Sequence, residues 1–215
     1  MNSDSVIRNN RGVKAPARQP RSLETERKLI AATLALLDEG GLEACTAPAL
    51  AARAGVAVGT IYARYGDKDA LIRAALLHMV SLGDGPQAVE ALATDANDLA
   101  AFLEGVARTA LAVVREHRTL LLATREFVRR SADTAWRAEF QARQGLARER
   151  LRAAAAARFA GSVRGGEAAL AMALVAIYGA VEVAWLDPDG APFATPPSPE
   201  AFVAALTEMQ LRYLT

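Results

Sequence analysis

The sequence predicts an all-α protein with two domains, and three observations support this prediction. Beyond residue 22, apolar residues recur at helical spacing in nearly every segment. No segment shows the alternation of apolar and polar residues that is typical of a half-buried strand. A break rich in Gly and Pro, GDGPQ at 83–87, separates short predicted helices from longer ones. We therefore expect two helical domains, at residues 23–82 and 83–215.

The composition favours a soluble cytoplasmic protein. A hydrophobic content of 52% in 215 residues is ample for a buried core. The single cysteine, Cys45, cannot form an internal disulfide, which is typical of a reducing compartment. The N-terminus lacks the apolar stretch of a signal peptide. The longest apolar run, 168–181, ends at Glu182 and is shorter than the ~20 residues that span a bilayer.

Residues 1–22 are predicted to be a disordered basic arm. Their charged residues are Arg8, Arg11, Lys14, Arg18 and Arg21 against Asp4 alone. The net charge of the whole chain is only +1, but residues 1–80 contain 11 Lys and Arg against 8 Asp and Glu. The arm suits contact with DNA phosphates or a minor groove, and it equally suits a solubilising tail.

The first domain begins with a predicted helix over residues 24–39, which Gly40-Gly41 ends. A short second helix follows, with Thr46 as its N-cap and Gly55 at its end. A third helix over 58–65 and a fourth over 67–81 come after tight turns. Two short helices joined by a turn that contains glycine are typical of a helix-turn-helix motif, which places its second helix in the major groove of DNA.

The second domain is predicted to consist of longer helices. They cover residues 97–116, 118–130, 133–160, 166–186 and 199–213. Between the last two helices, DPDGAPFATPPSP at 187–199 is dense in proline and turn formers and predicts a loop.

The third helix has an unusual outward face. With Ile61 directed inward, Val58, Gly59 and Tyr62 lie outward, together with the small Ala63. Such a small, apolar surface suits a helix that is covered by bases and sugars. Val58 can contact a thymine methyl group, and Gly59 lets the backbone approach the duplex. The hydroxyls of Thr60 and Tyr62 can donate to phosphate oxygens.

Lys68 stands in the first turn of the fourth helix, where a cation opposes the helix dipole at a cost of about a few tenths of a kcal/mol. A DNA phosphate there would be held by Lys68 and free amides, with Asp67 as the N-cap and Asp69 offsetting the charge. Arg64 can contact a guanine edge or the DNA backbone, and Thr46 can cap its helix with or without a phosphate contact. The candidate DNA-binding residues are therefore Thr46, Val58, Gly59, Thr60, Tyr62, Arg64 and Lys68. The alternative is a packed or solvated surface of a helical bundle.

These residues resemble the TetR-like (TetR/AcrR) family of transcriptional regulators over residues 24–72. The shared pattern comprises Ile30, Ala31, Leu34, Leu37, Gly40, Thr46, Leu50-Ala51, Ala54-Gly55-Val56, Gly59-Thr60-Ile61-Tyr62, Tyr65, Lys68 and Leu71. The resemblance implies a homodimer that binds a palindromic operator through two such domains, usually as a repressor that a small ligand releases.

Three residues depart from the family pattern. Ala57 stands where the family often has Ser or Thr, which removes an N-cap hydroxyl worth about 1 kcal/mol to the third helix and one phosphate donor. Pro48 stands where some relatives have a base-reading polar side chain, so the second helix is expected to contribute shape. Tyr65 replaces a commoner phenylalanine, which we expect to be harmless.

The predicted helix over 166–186 has two apolar stripes. One contains Leu170, Leu174, Ile177, Val181 and Trp185, and the other contains Ala169, Ala173, Ala176, Ala180 and Ala184. One core can cover only one stripe, so the alanine stripe predicts a contact with a second copy, joined by the last helix in a four-helix interface. The predicted dimerisation residues are Ala173, Ala176, Ala180, Ala184, Phe202, Leu206 and Met209. The alternative is a central helix that is fully buried in a monomer.

A ligand pocket in the second domain should be mostly apolar with a few polar groups directed inward. The candidates are His117, Arg125, Trp136, Arg143, Gln144 and Tyr178. Each of them also suits a structural or solvated position.

The expected partners are a double-stranded DNA operator, a second copy of the chain and a small-molecule effector of unknown identity, with no membrane. Two other classes of function were weighed. The sequence argues against an enzyme, because it has only two histidines and lacks a Glu-x-x-His pair, a glycine-rich phosphate loop and a nucleophile beside a base. No catalytic residue, metal or cofactor is therefore predicted. A helical scaffold that has lost DNA binding is the remaining alternative, for which Ala57 is the suspicious residue.

Overall fold

The computed structural model describes residues 20–82, 86–186 and 197–215. Across these residues the chain forms ten α-helices and no strand, which confirms the all-α prediction. The helices are α1 (Pro20–Ala44), α2 (Ala47–Ala54), α3 (Val58–Tyr65), α4 (Lys68–Leu82), α5 (Pro86–Thr94), α6 (Leu99–Glu116), α7 (Arg118–Arg130), α8 (Thr134–Phe159), α9 (Gly166–Val181) and α10 (Pro199–Leu214). A 3₁₀ turn, Ala160–Ser162, follows α8, and a π-helical turn, Glu182–Leu186, extends α9. Most of the predicted basic arm, the boundary near residue 83 and most of the predicted 187–199 loop lie outside the described residues.

The first three helices begin and end where local chemistry dictates. Gly40 and Gly41 leave helical geometry inside α1, and Gly41 has φ 65°, so the regular helix ends where the sequence predicts. Thr46 caps α2 by accepting a hydrogen bond from the Ala49 amide at 3.3 Å. Gly55 ends α2 with φ 67°, a left-handed conformation that glycine adopts without strain. Three residues then separate α2 from α3, as a helix-turn-helix requires.

The helices α1 to α4 share a core with helices from beyond residue 83. Leu37, Leu50 and Ile61 are fully buried at its centre. Phe127 from α7 and Trp136 from α8 complete the same cluster, with their rings 5.6 Å apart in an edge-to-face arrangement. The N-terminal helices therefore pack tightly on α7 and α8, and the predicted division near residue 83 does not separate two cores.

A second core joins α5, α6, α8, α9 and α10. Phe102, Leu151, Leu170 and Ile177 are among its fully buried members. The helix α5 is absent from the sequence prediction, which places a break at GDGPQ and begins the next helix near residue 97. Its proline stands at the first helical position, where the missing N–H is no loss.

The helix over Gly166–Leu186 is long and apolar enough to cross a membrane, the one such helix in the described ranges. The π-helical turn continues it beyond Glu182, where the sequence prediction ends the apolar run. Only 44% of its most apolar window is buried inside the chain. Core helices of soluble proteins meet the same length and composition criteria. Its exposed side is therefore a surface that needs an explanation.

Candidate nucleic-acid interface

The helix α3 presents a small, apolar surface to solvent. Ile61 is fully buried against the first core. On the opposite side, Val58 is 38% exposed and Tyr62 is 50% exposed, and Gly59 and Ala63 are exposed between them. The predicted orientation of this helix is confirmed, and the surface is open to a partner along its full length of two turns.

The start of α3 has the geometry of a capped helix without the capping side chain. Ala57 has the extended conformation of an N-cap residue, with φ −71° and ψ 146°, but makes no side-chain hydrogen bond. Its carbonyl oxygen accepts from the Thr60 amide at 2.9 Å. The amides of the first turn therefore have no side-chain acceptor, as the departure at this position predicts.

Lys68 lies at the start of α4 with an ammonium group that is only weakly engaged. Asp67 caps the helix, with Oδ1 accepting from the Ala70 amide at 2.6 Å. In the described part of the chain, Lys68 Nζ pairs with Asp69 alone, and at 3.8 Å the two do not form a hydrogen bond. Both roles of the flanking aspartates agree with the sequence prediction. The Lys68 side chain is 39% exposed, and its ammonium group is available to an external anion.

Arg64 does not extend outward as the sequence analysis expects. Its Nη2 donates a hydrogen bond to Ser22 Oγ at 2.9 Å, and its Nη1 lies 3.5 Å from Glu26 Oε2. The side chain is only 24% exposed. Because its donors face α1, Arg64 anchors α3 to α1, and the hypothesis that it reads a guanine edge is withdrawn.

Thr46 performs its predicted capping role and remains exposed. A hydroxyl that accepts one hydrogen bond keeps its own proton, so Thr46 can still donate to a phosphate. That contact stays a prediction.

Two of the predicted ligand residues instead connect the N-terminal helices to α6, α7 and α8. His117 Nδ1 lies 2.9 Å from Asp38 Oδ2, which joins the α6–α7 turn to α1. Trp136 is only 6% exposed, and its Nε1 donates to the Arg73 carbonyl oxygen at 3.2 Å. Trp136 therefore has a structural role in the first core, and its contact with a ligand stays a prediction.

The remaining ligand candidates are dispersed. Arg125 pairs with Glu182 at 3.1 Å, and Arg143 donates to Ser81 Oγ at 2.7 Å. Tyr178 lies beneath the Arg148 guanidinium, 5.9 Å from the ring centroid, and burial raises the pKa of its phenol. Gln144 is exposed. Within the described residues, none of these side chains lines the cleft between α4 and the end of α7 or the three smaller cavities beside α1.

The exposed apolar side of α9 differs from the predicted alanine stripe. Three of the predicted dimerisation residues, Ala173, Ala184 and Leu206, are 8% exposed or less and belong to the chain's own fold, so a partner cannot reach them. Ala176, Ala180 and Phe202 are half-buried. The exposed residues, which we call the dimer surface, are Met172, Val175 and Val183 on α9 and its extension, and Met209 and Tyr213 on α10. Each of them is at least 45% exposed.

Metal-ligating side chains are scattered within the described ranges. No three His, Cys, Asp or Glu residues there are grouped to hold a metal ion.

Residues 29–75 match the family described as bacterial regulatory proteins, tetR family. The matched segment contains α2, α3 and most of α1 and α4. No curated protein matches the chain significantly.

Several solved structures share the fold over almost the whole chain. A protein from Mesorhizobium loti MAFF303099, described as a TetR-family transcriptional regulator, is 21% identical over 91% of this chain and 99% of its own, with a TM-score of 0.65. The regulator FadR from Bacillus subtilis, in complex with stearoyl-CoA, is 17% identical over 88% of this chain and 99% of its own, with a TM-score of 0.63. A transcriptional regulator from Rhodococcus sp. Rha1 is 23% identical over 88% and 97%, with a TM-score of 0.62. At these identities the likeness shows a shared fold.

Proposed function

We propose that this chain, which matches the tetR family over residues 29–75 and shares its fold with solved TetR-family regulators, is a ligand-released repressor. In this proposal a homodimer binds a palindromic operator in the cytoplasm and dissociates when a small molecule binds. The observation that carries the proposal is the exposed, small and apolar face of α3 beside the weakly engaged ammonium of Lys68.

The face of α3 suits the major groove because it combines close approach with hydroxyl donors. A Cβ atom placed on Gly59 would have no neighbour within 4 Å, so the backbone there is open to the duplex. Val58 offers a branched apolar side chain to a thymine methyl group. Tyr62 and Thr60 supply hydroxyls for phosphate oxygens, and these contacts fix the register of the helix on the DNA.

A cation stands beyond the end of this face. Lys68 begins α4, three residues after the end of α3, and a phosphate beside the start of α4 would meet its ammonium and the first free amides of the helix. Arg64 supports the same surface indirectly, by holding α3 against α1. Affinity for DNA should therefore fall steeply with salt concentration.

Dimerisation follows from the dimer surface. Its five residues continue from α9 to α10, and a long side chain such as Met172 or Met209 is rarely left half exposed beside other apolar groups. A second copy related by two-fold symmetry would cover this surface with the same surface. Two α3 helices would then be available for successive major grooves, about 34 Å apart.

Ligand release requires a physical connection between the second domain and the DNA-binding helices. The structure has three such links: His117 to Asp38 on α1, Trp136 to the Arg73 backbone on α4, and Arg143 to Ser81 on α4. A ligand that displaces α7 or α8 would move α1 and α4 with them. A small change in the spacing of the two α3 helices is enough to disturb binding to both grooves.

The test is operator retention by variants of the DNA-facing surface. The operator is first obtained by mapping the bound DNA genome-wide. We expect Lys68→Ala to weaken binding to all sequences and to reduce the slope of log affinity against log salt by about 1, because one phosphate contact is lost. Tyr62→Ala should also lose operator retention. Arg108→Ala, which removes a more exposed charge from α6, is the control and should bind as the wild type does.

Dimer content, measured by sedimentation, should stay unchanged in all three variants. A scaffold that has lost DNA binding predicts instead that the wild type and every variant are indifferent to duplex DNA at low salt. That result would end the proposal.

A further inference from the structure

A cleft of about 810 Å³ opens between the N-terminal helices and the end of α7. Its walls come from the turn that ends α1, the first two turns of α4, the last turn of α7 and the residues before α8. Leu42, Ile72 and Phe127 supply its apolar floor. The volume lies within the range of about 300 to 1,000 Å³ that is usual for small-molecule sites. The cleft is separate from the candidate ligand residues of the second domain.

Charged side chains of both signs line the cleft, and the two most enclosed of them are basic. The charged residues are Lys68, Arg73 and Arg130 with Glu43, Asp69 and Asp133. Arg73 is 26% exposed and Lys68 is 39% exposed, whereas Asp133 is 43% exposed and Asp69 is 58% exposed. Glu43 and Arg130 are exposed and stand at the rim. An anion that enters the cleft would therefore meet Arg73 and Lys68 in its inner part and Arg130 at its rim.

The two carboxylates nearest Arg73 each use one oxygen, Oδ1, as a helix cap. Asp133 Oδ1 accepts from the Trp136 amide at 2.9 Å, and Asp67 Oδ1 accepts from the Ala70 amide at 2.6 Å. The guanidinium of Arg73 is 3.8 Å from Asp133 and 4.0 Å from Asp67. At these separations the guanidinium and the carboxylates form ion pairs but no hydrogen bonds. The N–H donors of Arg73 are therefore available to an anion in the cleft.

The ion pairs of Lys68 and Arg130 likewise lack a hydrogen bond. Lys68 lies 3.8 Å from Asp69, and Arg130 lies 3.4 Å from Glu126, which stands outside the cleft. A carboxylate or a phosphate has several acceptor oxygens and matches donors that converge in this way, above all the planar guanidinium groups. An apolar group on the same molecule would cover the floor.

We propose that this cleft binds a small organic anion, either a carboxylate or a phosphate ester with an apolar body. The proposal rests on the proposed function in one respect, since Lys68 also contributes to DNA binding. An anion held in the cleft competes with a DNA phosphate for the same ammonium group. The cleft then acts as an effector site at the edge of the DNA-binding surface.

Binding is tested on the full chain without DNA. Calorimetric titration uses phenyl phosphate and benzoate as the anionic probes and benzyl alcohol as the neutral one. We expect a saturable response to at least one anion and none to the alcohol, and the stronger anion identifies the phosphate or the carboxylate class. Arg130→Gln should weaken the binding about tenfold, the worth of one charge-assisted hydrogen bond.

Arg129→Gln is the matched control, because it removes the same charge from the neighbouring exposed position, which does not line the cleft. It should bind as the wild type does. The proposal would be overturned by any of three results. These are equal anion affinity in the wild type and Arg130→Gln, an equal loss of affinity in both variants, and no binding of either anion. Thermal unfolding of each variant shows that the fold is retained.

A second measurement adds the bound anion to the complex with operator DNA. We expect the anion to weaken operator binding by the wild type and to have less effect on Arg130→Gln. Anion binding that leaves operator affinity unchanged would overturn the competition. A protein that binds no DNA fails the proposed function, and the first titration still decides whether the cleft is a site.

Discussion

Arg64 on α3 donates a hydrogen bond to Oγ of Ser22 on α1, 42 residues earlier in the chain, at 2.9 Å. Arg64, in the last turn of α3, is thereby part of the support of the helix that we propose to bind DNA. Its guanidinium also lies 3.5 Å from Glu26, and the two side chains are about equally enclosed. Orientation of α3 therefore depends on α1 as well as on the buried Ile61.

Arg64→Gln should lower operator affinity by similar factors for every single-base variant of the operator, because the residue positions α3 without reading a base. The free energy of unfolding should fall by about 1 kcal/mol, which is reasonable for a partly exposed ion pair with one hydrogen bond. Urea unfolding and binding to a set of operator variants measure both effects. Ser22→Ala, which removes the partner and leaves α3 intact, should give a smaller loss in the same direction. A loss confined to one operator position would show base reading instead.

Ala57→Ser should stabilise the protein. The residue already has N-cap backbone geometry, so a hydroxyl there can accept from a first-turn amide of α3 without rearrangement. The expected gain in the free energy of unfolding is about 1 kcal/mol. Thr46→Ala provides the reverse control, because it removes the cap that α2 has, and should cost a similar amount. An unchanged unfolding midpoint in Ala57→Ser would mean that the start of α3 is not limited by its missing cap.

Val175→Glu should convert the proposed dimer to monomers. Val175 is the most exposed residue of the dimer surface, at 65%, and two buried carboxylates facing each other across a symmetric interface would oppose association. Sedimentation velocity measures the change. Leu146→Glu is the matched control, because Leu146 is 59% exposed on α8, outside this surface. If Leu146→Glu dissociates the protein and Val175→Glu does not, the interface lies elsewhere.

The sequence predicts the helices and the DNA-facing surface better than it predicts contacts between distant residues. The bounds of α2 and α3 follow from Thr46 and Gly55, whose effects on the backbone are local. The outward face of α3 follows from helical periodicity once Ile61 is assigned to the core. The hydrogen bonds of Arg64 and Trp136 are not visible in the sequence, because their partners, Ser22 and Arg73, are 42 and 63 residues away in the chain.

The sequence also does not show which side of α9 is exposed. Both sides of α9 are apolar, so periodicity cannot indicate which side packs inside. The structure buries Ala173 and Leu170 together and leaves Met172 and Val175 outside. The choice depends on how α9 is rotated against α6 and α10, which is a property of the assembled core. The cleft around Arg73 is likewise invisible in the sequence, because its walls come from three separate segments.

Because of Cys45, the free energy of unfolding should fall as the pH rises through the alkaline range. The thiol is fully buried, and burial raises its pKa from 9.0 to about 11, although nearby Lys68 acts in the opposite direction. The folded state therefore favours the protonated thiol. This contribution to the free energy of unfolding is fully present below pH 9 and is lost as the pH rises to about 11. Two pKa units correspond to about 3 kcal/mol.

The contribution is isolated by comparing the wild type with Cys45→Ala at each pH, because the other titrating groups are common to both proteins. Cys45→Ala costs packing at every pH, but the wild type should lose its advantage between pH 9 and pH 11. Urea unfolding at a series of pH values measures this difference. Maleimide should also label the native thiol far more slowly than the unfolded one, because a buried neutral thiol is a poor nucleophile. A difference between the two proteins that stays constant across this pH range would show that the thiol titrates equally in both states.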